Sequence, residues 1–226
     1  MHNEIYQHFN SLDITPNKVC SDPTSIWTID NFLPQNVYDA VVNEIDDIPN
    51  AQWSTFENST SSRSECRNPV NAPLIETLQN TFNSSKTINW LQEQVGVSNL
   101  VPDPHLRGGG LCRIHSGSKL DLHTDFNWND QIKLNRQVNL ILYLNEEWND
   151  SWGGDLEFWD NEKTKCMHTL VPKPNRLAFW IYDTDLVHGF PNELQTPKGV
   201  SRDNLIFFYY TSNGTWEKEP RRSQFM

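Results

Sequence analysis

The feature that most restricts the fold is a change of character near Gly108. Before it, apolar residues recur at three- and four-residue intervals. After it, short segments rich in aromatic and β-branched residues are separated by Gly, Pro and Asn turns. Eight strand candidates lie in that second half, near 110–115, 119–123, 136–144, 155–159, 167–171, 176–182, 185–189 and 203–211. Helices followed by many short strands imply an α+β domain whose second half is a sandwich or barrel of antiparallel sheets, since such strands bury a face only by stacking or closing. Gly153-Gly154 ahead of Leu156-Glu-Phe-Trp159 supplies the unrestricted backbone that a tight turn into a strand needs.

The first half supports this core. Residues 1–24, polar and broken by Pro16 and Pro23, read as an arm or loosely packed lead-in. A strand is expected over 25–30. Asn36 is placed to cap a helix running to about Ile48, because Val37, Ala40, Val41, Ile45 and Ile48 share one face at helical spacing. Residues 50–70, rich in Ser, Thr and Asn, read as a loop over a pocket. Residues 72–95 read as helix with a break at Asn83-Ser84-Ser85. At 226 residues one buried domain suffices, so the expectation is a single unit over 25–212, with its core at 108–212 and a C-terminal tail at 213–226.

Charge and cysteine usage exclude whole classes of function. A formal net charge of -11 argues against a phosphate-binding surface, so no nucleic-acid partner is expected. The basic run Lys218–Arg222 reads as a solvated end. No apolar stretch approaches the roughly 20 residues that cross a bilayer, and no leader is evident, so neither a membrane nor export is expected and the cytoplasm is. Cys20, Cys66, Cys112 and Cys166 are dispersed without a C-x-x-C pair and read as reduced thiols.

The residues that carry chemistry begin with Lys119-Leu-Asp-Leu-His-Thr-Asp125. Alternation puts His123 and Asp125 on one strand face, pointing the same way. An isolated H-x-D face can simply meet water; a third candidate ligand changes the weighing. His188 ends a strand-like run, where a sheet can return it to the first two. Two imidazoles and one carboxylate leave coordination positions open, the arrangement associated with non-haem Fe(II) oxygenases, whereas a structural zinc site is closed by four ligands and commonly includes thiolates. Arg202 opens the strand 203–211. Beyond simple solvation, its guanidinium suits a bidentate clamp on the distal carboxylate of a dicarboxylate. In 138–145, alternation sets Asn139, Ile141 and Tyr143 opposite Val138, Leu140, Leu142 and Leu144, so the Tyr143 hydroxyl can serve the same carboxylate. Phe126, Trp128, Trp180 and Tyr182 are candidates for the substrate entrance or for core packing.

Taken in order, His123-Thr-Asp125-Phe-Asn127, Asn139-Leu-Ile-Leu-Tyr-Leu-Asn145, Trp152-Gly-Gly-Asp-Leu-Glu-Phe-Trp159, Asn175-Arg-Leu-Ala-Phe179, His188-Gly-Phe-Pro191 and Ser201-Arg202 through Tyr-Tyr-Thr211 resemble the 2-oxoglutarate/Fe(II)-dependent oxygenase superfamily, prolyl 4-hydroxylase-like branch. The resemblance spans about 108–212. It implies a distorted double-stranded β-helix, or jelly roll, with N-terminal supporting helices. It further implies iron on His123, Asp125 and His188, and 2-oxoglutarate held by Arg202 and Tyr143 with Asn139 nearby. Arg202 stands where collagen-type prolyl 4-hydroxylases carry Lys, so the anchor looks more like that of other branches. The implied activity consumes O2 and 2-oxoglutarate, with ascorbate a candidate reductant, and hydroxylates an unactivated C–H bond, of prolyl residues or proline among others, releasing succinate and CO2. The implied partner is a small-molecule or peptide/protein substrate. Two rival classes are a zinc-dependent hydrolase on the same ligands and a non-catalytic jelly-roll binding module; neither accounts for the triad, Arg202 and Tyr143 together.

Overall fold

In the computed structural model, residues 1–183, 185–212 and 220–225 are described; the rest of the tail at 213–219, Lys218 of the basic run among it, lies outside them. The expected switch from helix to strand is there. The first half holds α1 (His2–Asn10), β1 (Asn17–Cys20), β2 (Ile26–Ile29), α2 (Gln35–Asp46), β3 (Ser54–Glu57), β4 (Ser62–Cys66), α3 (Pro73–Phe82), α4 (Ser85–Val95) and β5 (Val101–Pro102). The second holds β6 (Gly110–Ile114), β7 (Leu120–Thr124), β8 (Trp128–Asn129), β9 (Leu134–Tyr143), β10 (Leu156–Trp159), β11 (Cys166–Leu170), β12 (Leu177–Ile181), β13 (Val187–Phe190), β14 (Arg202–Thr211) and β15 (Gln224–Phe225). All eight strand candidates are present, each within two residues of its expected bounds.

The strands form two antiparallel sheets. The larger runs β1-β2-β12-β9-β14-β6-β4-β3, with β5 beside β14 and β8 beside β9; the smaller runs β11-β10-β13-β7-β15. This is an α+β jelly-roll core with helices on one side. Period-2 alternation builds it: Val138, Leu140, Leu142 and Leu144 of the β9 segment join Leu177, Phe179, Leu205 and Phe207 in the core under the helices. Ile141 and Tyr143 face the other way, into a second apolar cluster with Phe158 and Trp180. One face of the large sheet is thus sealed by helices, and the other is left to shape a cavity against the small sheet.

The helices start and stop for local reasons. The break at 83–85 separates α3 from α4, because the Ser84 side chain accepts a hydrogen bond from Thr87 N and opens the second helix. That helix ends at Gly96, whose φ of 70° is left-handed. Pro73 starts α3, and the Glu44 carboxylate of α2 accepts from Leu74 N at 2.9 Å and Ile75 N at 3.2 Å, capping it from outside.

Three expectations need correction. The lead-in is not loose: α1 buries Ile5 and Phe9 completely enough to join the main core, and β1 pairs with β2. Two apolar residues four apart are one turn of pattern, too little to register as periodicity. Asn36 does not cap α2; Pro34 precedes the helix, and Asn36 donates to Glu4 on α1. Residues 50–70 are not simply a loop: β3 and β4 form a hairpin that extends the large sheet beside β6. Of the basic run, Pro220 and Arg222 are exposed and Arg221 is half-buried, while β15 just after it pairs with β7. Its polar sequence gave no strand pattern, and the pairing needs a partner 100 residues upstream. All four cysteines are free, as expected of reduced thiols. No helix among the described residues is long and apolar enough to cross a membrane.

Candidate active site

The small sheet brings the two distant histidines together. In the β7–β13 ladder His123 and His188 are direct cross-strand partners, with ring centroids 4.6 Å apart. The pairing depends on Gly189: a Cβ there would meet Leu120 O at 2.7 Å and Asp121 O at 2.8 Å, so any side chain would push the strands apart. Asp125 follows β7 directly and turns its carboxylate back between the rings, Oδ1 3.6 Å from His123 Nε2 and Oδ2 3.3 Å from His188 Nε2. One ligand atom from each residue lies within 4.8 Å of the others, and this is the one such group among the described residues.

Hydrogen bonds orient each member. His123 Nδ1 faces Asp121 O at 2.9 Å and His188 Nδ1 faces Leu186 O at 3.3 Å. A carbonyl accepts only, so Nδ1 carries the proton on each ring and Nε2 presents its lone pair inward. Asp125 Oδ2 accepts from Arg136 Nη2 at 3.0 Å and Asn139 Nδ2 at 3.1 Å, while Arg136 Nε donates to Asn139 Oδ1 at 2.6 Å. Burial by itself would raise the Asp125 carboxyl, but the Arg136 guanidinium beside it holds it well below the usual carboxylate range. Burial, and next the neighbouring His188 ring, push His123 down and keep its imidazole neutral. The donor set, two imidazole nitrogens and one carboxylate oxygen with no thiolate, fits a ferrous ion with open positions.

The same cavity, about 530 Å³, reaches Arg202. This side chain is only 3% exposed, yet no carboxylate of the described residues lies within ion-pair distance of it. Its Nε donates to Gly154 O at 3.0 Å and its Nη2 to Tyr143 Oη at 3.4 Å, and its Cζ lies 5.1 Å from the Tyr143 ring centroid and 4.8 Å from that of Phe190. Gly154 has the expected freedom: φ is 75°, and a Cβ would lie 3.3 Å from Arg202 Cδ and 2.5 Å from Leu194. Burial pushes Tyr143 up, so it stays a protonated hydroxyl whose oxygen is already an acceptor and whose hydrogen is free to donate. A buried guanidinium without its anion is costly to keep, and a bound carboxylate would relieve it.

Sequence reasoning had named most of these groups, and the structure brings His123, Asp125, His188, Asn139 and Arg202 into one lining, with Tyr143 behind Arg202. Asn139 is committed to Asp125 and Arg136 through both amide atoms. Of the aromatic candidates, Phe126 and Trp180 line the cavity; Trp128 is in β8, and Tyr182 donates to Asp125 O at 3.2 Å. Three residues were missed. Arg136 was placed only at the start of the strand expected over 136–144. Asn204, two positions from Arg202 and hence on its face, lines the cavity at 1% exposure with neither amide atom partnered. Phe225 reaches back from the chain end to stack on His123 at 5.1 Å. Only the i, i+2 relation of Asn204 to Arg202 was a signal available in the sequence.

Comparison with known proteins agrees with this geometry. Residues 109–212 match the family model described as the 2OG-Fe(II) oxygenase superfamily. No curated protein matches the chain. Among solved structures, a prolyl hydroxylase from Trichoplax adhaerens, in complex with a hypoxia inducible factor oxygen degradation domain peptide fragment, superposes with a TM-score of 0.59 at 17% identity, covering 92% of this chain and 88% of that one. A Pseudomonas putida prolyl-4-hydroxylase gives 0.57 at 17% identity, covering 84% and 94%. HygX from Streptomyces hygroscopicus, with nickel and 2-oxoglutarate bound, gives 0.55 at 12% identity, covering 95% and 89%. Residues 109–212 are therefore similar to the 2OG-Fe(II) oxygenase superfamily, and the fold of the chain is like that of the prolyl hydroxylases.

Proposed function

We propose that the protein is an Fe(II)- and 2-oxoglutarate-dependent dioxygenase that hydroxylates an unactivated C–H bond, with residues 25–212 as the catalytic unit. The observation that carries this reading is Arg202, buried in the cavity that also holds the triad with no carboxylate of the described residues at ion-pair distance. His123, Asp125 and His188 would hold the iron on one side and leave its other positions to ligands. Arg202 and Tyr143 would bind the distal carboxylate of 2-oxoglutarate, and Asn204 would satisfy its own amide against the same molecule. Bound iron and co-substrate would supply the oxidising power, 2-oxoglutarate and O2 giving succinate, CO2 and one oxygen inserted into substrate C–H. The chain's own part is positioning and exclusion of water: Arg136 and Asn139 lock Asp125, the two carbonyls lock the imidazoles, and Phe158, Trp180 and Phe225 wall the rings with apolar surface.

A peptidyl proline or proline substrate is supported by the likeness of fold to prolyl hydroxylases. Ascorbate is the proposed reductant that keeps the iron ferrous, and the four free thiols support a reducing, cytoplasmic setting. A hydrolase on the same ligands would need a general base, and Asp125 is the only carboxylate among the described residues of the cavity wall. The test is anaerobic titration with Fe(II) and 2-oxoglutarate followed by an aerobic assay of succinate. A visible charge-transfer absorbance and succinate above a His123→Ala control are expected; absence of both would sink the proposal.

A further inference from the structure

The wall of the cavity reverses the sign of the molecule. The chain as a whole carries -11, yet the described residues lining this cavity include six guanidiniums and a single carboxylate, Asp125. Two of the six already have work: Arg136 braces Asp125, and Arg202 awaits the co-substrate. The remainder, Arg63 and Arg67 from the β3–β4 hairpin, Arg107 before β6 and Arg222 before β15, converge on the cavity from three separate parts of the chain.

Their existing partners do not neutralise them. Glu65, 3% exposed, is shared: Arg63 Nε donates to its Oε1 at 2.7 Å and Arg67 Nη2 to its Oε2 at 3.2 Å. One carboxylate for two guanidiniums leaves a net positive charge and free N–H edges, while holding both side chains in place. With side chains 31% and 42% exposed, Arg63 and Arg67 present those edges to an incoming molecule. Arg107 pairs at 3.0 Å with Asp130, a carboxylate 63% exposed and outside the cavity wall, so solvent screens that pair. Arg222 has no carboxylate partner among the described residues. A concave, low-dielectric wall lined by one sign of charge concentrates the opposite sign, and the planar fork of Arg matches carboxylate and phosphate oxygens.

Building on the oxygenase reading above, we infer that the substrate bears an anionic group, a carboxylate or a phosphate, and that Arg63 and Arg67 hold it while the reacting C–H bond lies at the triad. Glu65 acts as the pedestal of this subsite. The anion can belong to a small metabolite or to an acidic side chain of a peptide; the recognition chemistry is the same, and the test separates the sources.

The experiment uses the full chain loaded anaerobically with Fe(II) and 2-oxoglutarate, its visible charge-transfer absorbance followed during titration with matched pairs. Free amino acids and dicarboxylates are set against their amides, phosphate monoesters against the alcohols, and Asp- or Glu-containing peptides against their Asn or Gln counterparts; each is then assayed aerobically for succinate. In at least one pair the anionic member is expected to bind about tenfold tighter or more, the effect of one charge-assisted hydrogen bond, and rising salt should erode that preference. Arg67→Gln, which leaves Arg63 on Glu65, should remove it while leaving affinity for 2-oxoglutarate unchanged. Whether the responding pair is free or peptidic names the source. Equal binding within every pair, preference for the neutral members, silence from all anions, or an Arg67→Gln variant that keeps the full preference each overturns the inference. If 2-oxoglutarate produces no absorbance at all, the oxygenase reading itself fails and takes this inference with it.

Discussion

The two ends of the cavity hold buried charge in opposite ways. At the triad every charge is answered within the chain: Asp125 by Arg136 and Asn139, and each imidazole Nδ1 by a carbonyl. At Arg202 the described residues supply one carbonyl and one hydroxyl and no carboxylate within ion-pair distance, and Asn204 beside it has neither amide atom bonded. The first end is built in advance, so the proposed metal would meet ligands that need no reorganisation. The second is left incomplete, so that a ligand supplies the missing charge and binding energy is concentrated there.

This contrast can be broken by substitution, and the largest effect is expected at the completed end. Asp125→Ala removes a metal ligand and strands the buried Arg136. Succinate formation should fall to background, and the metal-free protein should lose about 3–5 kcal/mol of stability in denaturant unfolding, the usual cost of breaking a buried pair. At the incomplete end the sign of the stability effect should differ. Arg202→Met removes an unanswered cation and retains volume, so the ligand-free protein should be as stable as wild type or more so. Its affinity for 2-oxoglutarate, measured by calorimetry on the metal-loaded protein, should fall about 10- to 100-fold, as expected from losing charge-assisted hydrogen bonds of roughly 1.5–3 kcal/mol. If Arg202→Met unfolds as readily as Asp125→Ala, the two ends do not differ as described.

Smaller effects sharpen the picture. Asn139→Leu leaves the three ligands but removes a brace on Asp125, so metal affinity by competition with a chelator should weaken about 10- to 100-fold. Asn204→Leu should weaken 2-oxoglutarate binding least, by several-fold, consistent with roughly 0.5–1.5 kcal/mol for a neutral hydrogen bond. Unchanged binding would show that the Asn204 amide serves some other ligand.

Much of this was legible before any coordinates. The alternation in 138–144 assigns Tyr143 and Asn139 to one face and the leucines to the other, and the sheets keep that assignment because a one-residue slip would expose Val138, Leu140 and Leu142 together. The order of the motifs made His123, Asp125, His188 and Arg202 candidates, and the Gly-Gly pair forecast the turn that now presents the Gly154 carbonyl to Arg202. These readings depend on local periodicity or on backbone freedom, properties a short segment carries with it.

What only the tertiary structure decided depends on which segments meet. Arg136 became the partner of Asp125 through the strand that follows the ligand loop. Gly189 revealed its purpose only when β13 closed on β7. The hairpin at 54–66, read as a loop, acquired an edge to pair with in β6, and the polar end of the chain returned to set Phe225 on His123. The sequence by itself determined the faces of the strands, because these follow from spacing, and the resemblance carried by its ordered motifs supplied the candidate metal and co-substrate ligands. Which buried charges would be answered and which left open was settled by contacts between distant segments, because a charge is satisfied by what folds against it.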